Sequence, residues 1–324
     1  MRRREFITLF GGGAAAWSLA AHAESKTVAL VGLLGSGFAR SSAIFIDAFR
    51  EGMRDNGLIE ERNYVLDVRW AEDDYKRFAT LASELAQRKP NIIVVTTIAA
   101  GRAARQAAPT APIVMTGLID PVGAGLITSL SRPGGNITGI SSITQDTTVK
   151  AMEVLRTVIT RLKTVAVLFN PSNPENRRIV QDLRNQATAL QTTIHPIEFK
   201  GPDTLDGMID SLVDDSALLV VGDAALLDLR EQIVATALRR RLPTATPIPE
   251  FTDVGALIGY GPSRRAIYRG AATYVRKILA GAKPADLPVE QPTFIELSIN
   301  ARTAKALDIT IPDSLIARAD RVIE

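Results

Sequence analysis

Apolar and polar positions along the chain switch repeatedly between a period of two and a period near 3.6. Residues 27–34 form an apolar run ending in Gly35-Ser36-Gly37, which predicts a buried strand and a turn. Phe38, Phe45, Phe49 and Met53 then recur at helical spacing up to Asn56-Gly57, a helix stop. Residues 64–70 alternate as a strand. Residues 75–88 read as a helix with Phe78, Leu81, Ala82 and Leu85 on one face. Strand 91–97 is buried by its Ile-Ile-Val-Val content, and 99–107 is a helix of small residues. Strand 112–117, helix 121–130 and strand 136–143 complete the first run, with Pro133-Gly134-Gly135 as the last turn.

The pattern then restarts. Helix 146–160 precedes strand 164–170, helix 174–190, strand 193–199, helix 204–213, strand 217–222, helix 225–240 and strand 243–248. Residues 255–260 form a last buried strand. Strands alternating with helices predict parallel sheets covered on both faces. Two such runs predict an α/β protein of two Rossmann-like lobes. The tail departs from this rhythm. Ala266, Tyr268, Ala272, Val275, Ile278 and Leu279 mark one more helix, Lys283–Pro288 a stiff connection, 294–299 a strand and 301–307 a short helix.

The first 23 residues have a different character. A basic start, Arg2-Arg3-Arg4, precedes an apolar run of Gly and Ala, and Ala21-His22-Ala23 has the form of a signal-peptidase site. Paired arginines followed by x-Phe-Ile resemble a twin-arginine export signal. The run is too short to cross roughly 30 Å of hydrocarbon. Export with cleavage is expected, leaving a chain without stable membrane insertion. Removing 1–23 takes away three arginines, Glu5 and His22, and moves the formal charge from +3 to +1.

Composition then narrows the chemistry. With no cysteine, disulfides, thiolate metal sites and cysteine nucleophiles are excluded. Two histidines in 324 residues leave little for a metal site or a His-dependent active site. Balanced charge argues against nucleic acid as a partner. No Gly-x-Ser-x-Gly elbow and no GxxxxGK[ST] loop occurs. Asp73-Asp74 and Asp214-Asp215 are adjacent, so their side chains diverge and read as solvated charges. His195 has no serine or cysteine partner in view, and Arg239–Arg241 close a helix where cations suit the dipole. The expectation is a binding protein without cofactor or metal. An exported α/β enzyme is the weaker alternative.

Ligands of parallel sheets bind at the carboxyl ends of strands, where helix N-termini offer N–H groups. Those positions hold Ser36 and Gly37, Thr96, Thr97, Ile98 and Ala99, Gly117 and Asp120, Asn170 and Asn173, Gly222 and Asp223, and Phe251 and Tyr260. Each has a structural alternative. The glycine loop lacks the third glycine of a dinucleotide fingerprint and reads best as a turn. Asp120-Pro121 and Asn173-Pro174 look like helix caps followed by proline at the first helical position. Thr96 and Thr97 either satisfy local backbone or touch ligand. Asp223 follows a fully apolar strand, where it could meet a ligand ammonium, cap the next helix, or do both. Phe251 and Tyr260 either stack on a ligand or pack.

Several stretches carry a family likeness. These are Arg3-Arg4-Glu5-Phe6-Ile7, Ala48-Phe49-Arg50-Glu51-Gly52, Asp120-Pro121-Val122, the RPGGNITG text of 132–139, and Asn170-Pro171-Ser172-Asn173-Pro174. The most specific is the closing run, with KPADLPVEQPT at 283–293 and NARTAKALDITIP at 300–312. The chain resembles ABC-transporter substrate-binding proteins of the tryptophan/tyrosine-binding type, which have the type I periplasmic-binding fold. The resemblance implies two lobes joined by three crossings near Ile143, Gly261 and Gln291. Residues 24–143 with 262–290 would form one lobe, and 144–261 with 291–324 the other. It implies a periplasmic monomer that carries an amino acid or related small molecule to a membrane permease and its ATPase. Ligand sensing for a membrane sensor is the alternative role. Relatives often read Gly-[Ser/Thr]-Pro-Ala in the third-strand loop. Here Thr97-Ile98-Ala99-Ala100 puts an apolar side chain at the hydroxyl position.

Overall fold

Four consecutive β-branched residues, Ile92, Ile93, Val94 and Val95, are all fully buried, because helices cover both faces of their sheet. They form β3 in a computed structural model that describes residues 28–72, 74–187, 191–213 and 216–324. The export segment, Asp73, Asp214, Asp215 and the far end of the helix expected to reach Leu190 lie outside the described residues.

The first half runs β1 (Ala29–Gly35), α1 (Ala39–Asp55), β2 (Tyr64–Trp70), α2 (Phe78–Gln87), β3 (Ile92–Val95), α3 (Ile98–Ala107), β4 (Ile113–Ile119) and β5 (Ile137–Ser142). Its strands pair in parallel in the order β2-β1-β3-β4-β5. Apolar stripes from α1 close one face, with Phe45 and Phe49 buried. Leu81 and Leu85 of α2 and Ala100 and Ala104 of α3 close the other.

The second half runs α4 (Thr144–Val158), β6 (Thr164–Phe169), α5 (Pro174–Gln186), β7 (Thr193–Glu198), α6 (Pro202–Asp210), β8 (Ser216–Val220), α7 (Ala224–Asp228), α8 (Arg230–Arg239), β9 (Thr244–Thr246) and β10 (Ile258–Gly261). Then come α9 (Arg264–Leu279), β11 (Glu296–Asn300), α10 (Ala301–Ala306), α11 (Asp313–Ile316) and β12 (Arg321–Ile323). This sheet is ordered β12-β11-β10-β9-β8-β6-β7, parallel except for the antiparallel β10–β11 pair. Its strands β7-β6-β8-β9-β10 repeat the order of the first sheet.

The chain passes between the sheets three times. After β5 it enters α4, which packs on β9 and β10. After β10 it returns through α9, which packs on α1, β4 and β5. Glu290 still bridges to Ile140 of β5, and β11 then joins β10. Helix α9 is thus tied to the first sheet by packing. At its N-terminus it is tied to the second half by Glu250, whose Oε1 accepts from the N–H groups of Arg264 at 3.0 Å and Arg265 at 3.4 Å.

Three expectations are corrected. Residues 121–130 form turns, not a helix. Asp120 has φ +44, Gly125 has φ +69, and glycine at 123 and 125 makes a helix costly. Helix 225–240 breaks at Leu229 into α7 and α8. The tail forms α11 and β12 beyond the last predicted helix, with β12 extending the sheet beside β11. Among the described residues, no helix is long and apolar enough to cross a membrane.

Candidate functional site

Each sheet reverses its winding between its first and third strands, the place where open α/β sheets bind ligands. In the first sheet this reversal lies between β1 and β3 and presents Ser36, Thr96 and Thr97. In the second it lies between β6 and β8 and presents Asn170, Asn173, Gly222 and Asp223. The two reversals face each other across a cavity of about 490 Å³ of empty space, its open mouth included. Ser36, Thr96, Thr97 and Ile98 line one wall, and Asn173, Gly222 and Asp223 line the other.

Asp223 is the best-held side chain in the cavity. It is buried and caps α7, with Oδ1 accepting from Ala225 N at 3.0 Å. Asn170 Nδ2 donates to the same oxygen at 3.0 Å, and Asn173 Nδ2 donates to Oδ2 at 2.7 Å. The supporting amides are themselves fixed. Asn170 Oδ1 accepts from Ser172 N, Asn173 Oδ1 caps α5 through Glu175 N, and Asn176 bridges Asn170 N and Gly222 O. Three donors use three of about four acceptor positions on a carboxylate, so Oδ2 can still take a ligand donor. Burial pushes the Asp223 carboxyl up, against the pull of Asn173, Asn170, Ala225 N–H and Arg264. The cap and ligand readings of Asp223 are therefore compatible.

The facing strand-end residues Ser36, Thr96, Thr97 and Ile98 are uncharged. Thr97 caps α3, with Oγ1 accepting from Ala100 N at 3.1 Å. Thr96 Oγ1 accepts from Ser36 N at 3.4 Å. Ile98, the apolar residue of the third-strand loop, is buried and lines both this cavity and an outer chamber. Ala99, Asp120, Arg102, Ile119, Pro174, Glu175, Arg178 and Ile179 also line that outer chamber.

Asp120 is not a helix cap. Its Oδ1 accepts from Gly123 N at 2.9 Å within the turn, and its Oδ2 accepts from Arg178 Nη1 at 2.9 Å. That ion pair joins the end of β4 to α5 across the cleft mouth. The Gly123 N–H and Arg178 hold the Asp120 carboxyl below its usual range. Phe251 is also corrected. It is fully buried in a short 3₁₀ turn, Pro249–Val254, and belongs to the apolar core, so it cannot cover a ligand. Tyr260 is partly buried and packs against the core of the second half. Gly37 is buried behind the turn, where its carbonyl accepts from Glu72 N at 3.3 Å. His195 is exposed on edge strand β7.

Four polar cavity residues escaped the sequence reading: Tyr75, Thr144, Glu175 and Arg264. Burial pushes the Glu175 carboxyl up, and Asp223 adds to the effect while Arg102 opposes it. Arg264 begins α9, immediately past the second crossing. Extending the strand-end rule to the crossing after β10 would have found it. No group of three or more His, Asp or Glu able to hold a metal occurs among the described residues.

Two doubly wound sheets, three crossings and a polar cavity between facing strand ends define a type I periplasmic-binding protein fold. The family model for ABC transporter substrate binding proteins matches residues 40–323, and the chain belongs to that family. It is 27% identical over 262 residues to a tyrosine-binding protein of Clostridioides difficile, covering 81% of this chain and 75% of that one. An ABC domain from Streptococcus pneumonia, solved in complex with L-Trp, superposes with a TM-score of 0.80 at 24% identity, covering 92% of this chain and 100% of that one. A conserved domain protein from Vibrio cholerae gives 0.82 at 23% identity, covering 91% and 99%.

Proposed function

We propose that the chain is the periplasmic receptor of an ABC importer and carries an amino acid, with aromatic amino acids as the first candidates. The observation that carries this is the pair of facing sheet reversals, with a buried, pre-held carboxylate on one side and Asp120–Arg178 closing the mouth. Family membership and the tyrosine-binding relative support it.

The mechanism is binding by closure. Lobe 24–143 with 262–290 rotates against lobe 144–261 with 291–324 about the crossings. Ligand shifts the population toward the closed form, and a membrane permease with its cytoplasmic ATPase receives that form. Asp223 holds the ammonium of the cargo. The Ser36, Thr96, Thr97 and Ile98 wall closes over it. The protein works as a monomer, without catalysis, cofactor or nucleic acid. Residues 1–23 direct it to the periplasm by the twin-arginine route.

Titration calorimetry of the exported protein against the twenty amino acids, L-tyrosine and L-tryptophan first, tests this reading. Saturable 1:1 binding is expected, with a melting temperature that rises with ligand concentration. Failure of every amino acid to bind or stabilise the protein would sink it.

A further inference from the structure

We propose that Arg264 reads the carboxylate of the cargo, so that the cleft selects a zwitterion whose apolar side chain lies in the outer chamber. This rests on the amino-acid reading above and names the second half of its head-group site.

Arg264 lines the central cavity beside Asp223. It also lines a second, inner cavity behind it, which shares Gly117, Thr144 and Gly222 with the first. Among the described residues it is the one cation that lines either. It forms no ion pair among those residues, yet its placement is fixed from three sides. Glu250 Oε1 accepts from its backbone N–H at 3.0 Å. Its guanidinium lies 5.7 Å over the Phe45 ring. Tyr268, whose ring lies 5.4 Å from that of Phe45 at a tilt of 32°, interacts with its side chain. A guanidinium held this way keeps its planar fork of donors for a carboxylate.

Charge decides the ligand class. Arg264 is close enough to Asp223 to oppose the upward push on its carboxyl. Arg264 thus presents a positive group beside the Asp223 carboxylate, in a cavity that Glu175 also lines. Closure removes water from both. A bare amine would bring no carboxylate to the Arg264 fork, and a bare acid would set a further carboxylate beside Asp223 with no ammonium between them; each forgoes a charge-assisted contact in a desolvated site. An α-amino acid satisfies both at once. With the head group between Asp223 and Arg264, its side chain follows Ile98 and Ile119, which line both the central cavity and the outer chamber. Ile179 and Pro174 continue that apolar path. Ile98 thus serves as a wall for the ligand side chain.

The test measures L-tyrosine, tyramine and 3-(4-hydroxyphenyl)propionate by titration calorimetry on the unaltered protein and on Arg264→Gln. The unaltered protein should bind tyrosine about 100-fold more tightly than either analogue, as expected when one partner of a desolvated charge pair is removed. Arg264→Gln should weaken tyrosine by about the same factor and leave tyramine within about threefold. Equal losses for tyrosine and tyramine, or none for tyrosine, would overturn the role of Arg264 while leaving the receptor reading intact. No amino acid binding to the unaltered protein would overturn both. Should the variant fold poorly, tyrosine methyl ester on the unaltered protein gives the same readout. Binding as tight as tyrosine itself overturns the proposal, and a large loss supports it.

Discussion

The two walls of the cleft share a strand order and differ in chemistry. On the second wall, a buried carboxylate is gripped by two side-chain amides and a backbone N–H, and each amide is held in turn. The first wall offers hydroxyls already engaged locally, Thr97 as a cap and Thr96 as an acceptor for Ser36 N, beside the apolar Ile98. Satisfied polar networks in low dielectric are rigid and specific, whereas single hydroxyl contacts are adaptable. The second wall is thus suited to hold an ammonium and the strand-end loops of the first to shape, with Arg264 at the crossing between the sheets. The same topology can thus be fitted with a fixed half and a forgiving half.

The largest expected effect comes from breaking the fixed half. Asp223→Asn removes the charge and sets an amide donor against donors already aimed at that position. Affinity for an amine-bearing ligand should fall by at least about 30-fold in calorimetry. The protein should lose about 1–3 kcal/mol in denaturant unfolding. Unchanged affinity would erase the distinction between the walls. Acidification should act on the same wall. Only ionised Asp223 can hold an ammonium, and burial pushes its carboxyl up. Affinity should therefore decline with falling pH sooner than an exposed aspartate would allow. Asp120, held below its usual range, keeps its charge through that window.

Next in size is a matched pair of cap removals. Asn173→Ala and Thr97→Ala each delete a helix N-cap and should each cost about 1 kcal/mol of stability. Only Asn173→Ala also releases Asp223, so it should lose about tenfold in affinity, while Thr97→Ala stays within about threefold. Equal losses would mean that the Thr97 hydroxyl matters to the ligand as much as the network around Asp223. The smallest effect belongs to the rim. Arg178→Ala removes an exposed ion pair worth at most about 1 kcal/mol. It should speed ligand release a few-fold in stopped-flow and become silent at high salt.

Most of the framework was legible because it depends on local pattern. The Ile-Ile-Val-Val run reads as a buried strand and Asn173-Pro174 as a helix start, and both form as read. The strand ends followed from the strand–helix rhythm, and with them Ser36, Thr96, Thr97, Asn173 and Asp223, whereas the winding order that gathers them is set by strand pairing. Residues that depend on tertiary placement were harder to read. Asp120-Pro121 has the form of a cap, but Gly123 and Gly125 let the chain turn, freeing one carboxylate oxygen for Arg178. Phe251 follows a strand closely enough to suggest the cleft, yet its 3₁₀ turn points it into the core. Arg264 belongs to the site only because the chain crosses between the sheets at that point. No periodicity marks a crossing.

Glu250 carries one more consequence. By gripping the first N–H groups of α9, it fixes the backbone of Arg264 at the place where the chain passes from one sheet to the other. In a rotating body, displacement grows with distance from the axis, so atoms beside the crossings travel least and the rim travels most. Arg264 would stay almost still as the cleft opens, while Arg178 would swing away from Asp120. Cargo could then settle against a stationary anchor before the jaws meet. Arrival and capture become separate events, the first set by the anchor and the second by the rim.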